Sequence, residues 1–220
     1  MKAPDTPEAA EAAGYLPVER WEIHEILHFI RRELATRTFW LNGHAVLLSA
    51  LVAVGVYRGY VELTAGAAWF GDLVLPLGLG VALMAALIVP HELIHGVAYR
   101  LAGAPEVRYG ADWRRLVFHA SAPGFVVDYA RMRLIALAPF VVLSSGLLAA
   151  LLFAEGRWWW TALGLALIHT QGCLGDAAML NAFARQEEPD AWVTYDDRDR
   201  AQFVFLRKQV PTTREGATGP

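Results

Sequence analysis

Four apolar stretches constrain this chain more than any other feature: about Phe39 to Tyr57, Leu73 to Leu101, Leu134 to Ala154, and Trp158 to Phe183. Crossing a hydrocarbon layer roughly 30 Å thick takes about 20 residues of helix, and each stretch supplies them. Lipid offers no hydrogen bonds, so such runs must pair their backbone groups internally, as helices do. The expected fold is mainly α, a polytopic membrane protein with about four transmembrane helices. Of the 220 residues, 55% are hydrophobic and they lie in runs instead of at helical or strand spacing, which points to lipid as the solvent.

Each span bends the simple rule. The second holds Pro76 and Pro90, the third Pro139, and the fourth His169, Gln171 and Asp176. Irregular or polar spans line cavities. Arginines gather before the first span (Arg31, Arg32, Arg37), between the second and third (Arg100, Arg108, Arg114, Arg115, Arg131, Arg133) and after the fourth (Arg185), whereas the opposite connections carry only Arg58 and Arg157. Positive flanks stay in the cytoplasm, so both termini are expected there, in a protein of the cell membrane. Trp158, Trp159 and Trp160 then open the fourth span as an aromatic belt at the outer interface.

Outside the spans, Ile23, Ile26, Leu27, Ile30 and Leu34 fall on one helix face, as in an amphipathic helix lying along the membrane. Between spans two and three, Leu116 to Ala120 and Phe125 to Tyr129 flank Pro123-Gly124 and read as a short β-hairpin. Residues 1–16 read as a disordered lead-in, 17–205 as one membrane-embedded domain, and 206–220 as a flexible tail. A net charge of −3 without a basic stripe sets nucleic acid aside, and a single cysteine, Cys173, excludes an internal disulfide.

The second span reads Pro90-His91-Glu92-Leu93-Ile94-His95-Gly96. Two imidazoles four residues apart project from one helix face and can share a zinc ion, with Glu92 one step round as general base. A catalytic site wants a third protein ligand, and Asp176 is the best candidate. An ionisable side chain inside a span costs roughly 2.5 to 3.5 kcal/mol even on lenient scales, so residues that expensive are functional by default. The same pattern recurs as His24-Glu25-Ile26-Leu27-His28, but on a surface helix where a carboxylate costs little; it reads as a solvated face. His169, Cys173 and Asp176 follow one helix stripe. His169 is expected as a core histidine or a partner of the metal ligands, Cys173 as a small buried apolar group, and His119 as structural. Asp196, Asp197 and Asp199 read as a solvated loop.

From roughly Ile88 to Phe205 the chain resembles the DUF3267 zincin-peptidase family and, more distantly, the site-2 proteases. The resemblance rests on the His-Glu-Leu-Ile-His-Gly run, Leu137-Ala138-Pro139, Gly175-Asp176, and the acidic stretch at Asp196 and Asp197. It implies zinc held by His91, His95 and Asp176, as site-2 proteases take an aspartate from a later span. Those proteases place that aspartate before a glycine, whereas Gly175 precedes it here, and the chain has no PDZ-like insertion. The expectation is a membrane zinc metallopeptidase acting on a membrane-protein or peptide substrate. The competing readings are a membrane metal-binding or transport protein without hydrolysis, which an internal repeat would favour and none is seen, and a metal-retaining scaffold, which would not need Glu92.

Overall fold

The computed structural model describes residues 4–22, 25–112, 117–197 and 202–209. Expectations for Ile23 and His24, for Arg114 to Leu116, for Asp199 and for the tail from residue 210 onward lie outside the described residues. Within the first sixteen residues the chain forms helix α1 (Pro7–Ala12), capped by the Thr6 hydroxyl, and enters strand β1 (Tyr15–Glu22). Helix α2 (Ile26–Ala35) follows, then α3 (Phe39–Thr64). A π-helical turn over Trp69–Val74 leads into α4 (Leu75–Leu101). Three strands come next, β2 (Arg108–Asp112), β3 (Val117–Ser121) and β4 (Val127–Asp128), and then α5 (Tyr129–Phe153). Helices α6 (Arg157–Gly172) and α7 (Leu174–Ala184) precede β5 (Trp192–Asp197) and β6 (Gln202–Lys208).

Among the described residues, three helical segments are long and apolar enough to cross a membrane: Phe39–Thr64, Trp69–Leu101 and Tyr129–Phe153. The fourth apolar stretch differs from the expected single helix. It breaks at Cys173 into α6 and α7, of 16 and 11 residues. Its environment explains the break: much of α6 and the second half of α7 are buried, and α6 packs against α3, α4 and α5. Protein surrounds much of this stretch, and a broken helix is tolerated where it is buried in protein.

Helices α4 and α6 approach to backbone contact. A Cβ on Gly80 would strike the Thr161 carbonyl oxygen, and one on Gly164 would strike that of Leu77. Small residues allow such crossings where no hydrophobic effect drives helices together. Of the three tryptophans opening α6, only Trp158 faces outward; Trp159 donates to the Leu151 carbonyl at 3.0 Å and Trp160 to Glu62 at 2.7 Å.

The expected hairpin is re-paired. Strand β3 pairs backward with β2, while Val127 and Asp128 pair with Thr194 and Val193 of β5. The local backbone fits this pairing: Phe125 N–H closes a turn onto the Ala122 carbonyl, and Asp128 caps α5 by accepting from Arg131 N–H at 2.8 Å. Only two residues remain extended, and Tyr129 is already helical. A four-stranded antiparallel sheet in the order β1-β6-β5-β4 completes the fold.

Helix α2 turns its apolar face onto this core. Phe29 is buried with Phe183, Phe205 and Ile135, and Ile26 and Ile30 pack against them. Its fully buried Glu33 carboxylate accepts from Arg185 at 3.1 Å and from Asn181 at 3.0 Å, and is flanked by Arg32. Asn181 also accepts from Thr38 N–H at 2.7 Å, so one side chain of α7 ties down the α2–α3 corner.

Candidate metal centre

An α-helix brings residues four apart onto one face, and in the C-terminal half of α4 this sets His91 and His95 side by side, both buried. Their rings meet edge-on with centroids 4.8 Å apart, and the two Nε2 atoms lie 3.1 Å from each other. Asp176 arrives from the first turn of α7, the positive end of a helix, where a carboxylate is favoured. The break at Cys173 creates that end. One Asp176 oxygen lies 3.6 Å from His91 Nε2 and the other 3.4 Å from His95 Nε2.

These separations suit a shared ion. Bonds of 2.0–2.1 Å in tetrahedral directions place neighbouring ligand atoms about 3.3 Å apart. The two imidazole nitrogens lie 3.1 Å apart, and each faces a different oxygen of the one Asp176 carboxylate, at 3.6 Å for His91 and 3.4 Å for His95. Two imidazoles and a carboxylate are donors that zinc accepts.

Glu92 points one step round the helix, as the sequence anticipates. Its Oε2 accepts from Ala120 N–H at 2.6 Å. The same bond shows how β3 is oriented: Ala120 is paired in register with Tyr109, yet its N–H turns to Glu92, so it faces away from β2. His95 Nδ1 lies 3.0 Å from the Ile135 carbonyl of α5. A backbone carbonyl there fixes the tautomer that leaves Nε2 free as a ligand.

Two cavities meet at Asp176. The larger, about 510 Å³, is lined by His91, Glu92, His95, Phe118, Asp176 and Asp196. The smaller, about 200 Å³, is mainly apolar and runs past Phe39, Trp40, Leu47 and Phe140, with His44 at its side. Asp196 corrects the solvated-loop reading, since it lies on β5, is buried and lines the larger cavity.

His169 is fully buried, with its ring centroid 5.7 Å from that of His91 and its Nε2 3.8 Å from Cys173 Sγ. Donor atoms of His91, His169 and Cys173 lie within 4.8 Å of one another, as do those of His91, Glu92 and His95. His28 and Glu25 of the other motif are exposed on and beside α2. Sequence reasoning missed the Ala120 N–H and the Ile135 carbonyl, both backbone groups that no residue type announces. Val126, inside the second strand of the expected hairpin, is buried and donates to the Asp5 carbonyl.

Residues 84–190 match the model of the DUF3267 family, described as "Putative zincin peptidase". The match points to a metallopeptidase and implies zinc, and its span includes His91, Glu92, His95 and Asp176. No curated protein and no solved structure matches the chain.

Proposed function

With the DUF3267 match as premise, we propose that this chain is an integral-membrane zinc metallopeptidase that hydrolyses peptide bonds in or near the bilayer. The observation that carries the reading is the triangle of His91 Nε2, His95 Nε2 and the Asp176 carboxylate beside Glu92, at the meeting of two cavities. His91, His95 and Asp176 hold the metal, which when bound supplies Lewis acidity toward water and the scissile carbonyl. Glu92 takes a proton from the attacking water and returns it to the leaving amine. Ala120 N–H keeps that carboxylate turned toward the cavity, and the Ile135 carbonyl keeps His95 in its ligating orientation.

The substrate in this reading is a membrane-protein or free peptide segment in extended form. Its backbone is held alongside β3 near Phe118, where the strand borders the larger cavity. The apolar cavity beyond Asp176 takes the hydrophobic side of the same segment. The α6–α7 unit serves as a broken fourth span, with both termini in the cytoplasm and the site toward that face of the cell membrane.

Glu92→Gln tests the chemistry. The reading expects zinc binding to persist while cleavage of a membrane-tethered peptide falls by about 10² to 10⁴-fold, the range of a lost general acid–base. Cleavage unaffected by Glu92→Gln would remove Glu92 from the mechanism.

A further inference from the structure

Pro139 lies inside α5, fully buried, on the face that also carries Met132, Ile135 and Ala136. A regular helix bonds each N–H to the carbonyl four residues back, and proline has no N–H to give. The carbonyl that position 139 would engage is that of Ile135, the same one that His95 Nδ1 meets at 3.0 Å. Proline inside a membrane helix is tolerated when a neighbouring helix re-satisfies the freed backbone group. Here the neighbour is a histidine of the metal triangle.

We propose that Pro139 is a positioning residue for the metal centre. By withholding an N–H it reserves the Ile135 carbonyl as the acceptor for His95 Nδ1–H. That hydrogen bond holds the ring in the tautomer whose Nε2 lone pair faces His91 and Asp176. The proposal rests on the zinc reading above but concerns a backbone acceptor and not the hydrolytic step. The defect in α5 and the ligand geometry in α4 are then one device.

Pro139→Ala restores the missing donor, and its two effects run in opposite directions. The repaired helix raises the melting temperature of the metal-free protein, because alanine is a far better helix residue than proline. Competition for the Ile135 carbonyl lowers zinc affinity, measured against a chelating dye in detergent, by roughly 10 to 100-fold, the usual effect of losing such a partner. Zinc affinity unchanged in a folded variant would overturn the proposal, as would a joint fall in stability and affinity, which would mark Pro139 as packing alone. Histidine-labelled, metal-free wild type gives a second reading by nitrogen NMR that does not depend on the variant folding. The proposal expects the His95 proton on Nδ1, and a proton on Nε2 would contradict it. Wild type that binds no zinc yet shows the Nδ1 proton would sink the metallopeptidase reading and leave the link between Pro139 and His95 standing.

Discussion

Asn181 shows how much one polar side chain can hold in this fold. Its amide donates to the Glu33 carboxylate and to the Thr36 carbonyl and accepts from Thr38 N–H, at 3.0, 2.9 and 2.7 Å. Asn181→Ala leaves a fully buried acid short of a donor, and the expected cost is about 1–3 kcal/mol of stability, read as an earlier thermal unfolding in detergent. An unchanged midpoint would mean that Arg185 and Arg32 satisfy Glu33 alone. The residues of the candidate metal site were far more legible than this anchor. Spacing alone puts His91 and His95 on one face, and the expense of an acid in a span singles out Asp176. Glu33 carries no such signal, because nothing in an amphipathic surface helix marks which acid will be buried. The Ile135 carbonyl was hidden for another reason: it is a backbone atom, and only Pro139, four residues later, hints that it is free.

Among the elements, the α4–α6 crossing is the closest. Gly80→Val or Gly164→Val would press a branched side chain into a facing carbonyl. Either variant should lose folded protein and bound zinc together, as judged by size-exclusion profile and metal content, whereas Gly78→Ala, with open space at its Cβ, should lose neither. The elements most visible in the sequence were those with a strong period or a long run: α2, α3, α4 and α5. Those that shifted were decided by tertiary partners. The break between α6 and α7 reflects burial inside the protein, and β4 pairs with β5, a strand some 65 residues on. Short-range pattern reading cannot choose between such partners. Strand β3 bears the test of substrate docking: Phe118→Pro should raise the KM for an extended peptide several-fold while zinc stays bound, and an unchanged KM would exclude docking there.

At the scale of the whole molecule, three helices long and apolar enough to cross a membrane pack around a largely buried, broken one, and α2 with strands β3, β5 and β6 borders the site. The arginine distribution makes the topology testable. Reporter fusions should place both termini in the cytoplasm, and an external C-terminus would reduce the spans to an odd number and reassign the broken stretch. One ion should bind between α4 and α7 inside this frame, and not on the exposed motif near α2. Metal content of detergent-purified protein tests it directly, with wild type set beside His95→Ala, Asp176→Ala and His28→Ala. The wild type should hold about one zinc per chain, as expected for a single three-ligand site, lost with the first two substitutions and kept with the third. Zinc lost only with His28→Ala, or no bound metal in the wild type, would contradict it.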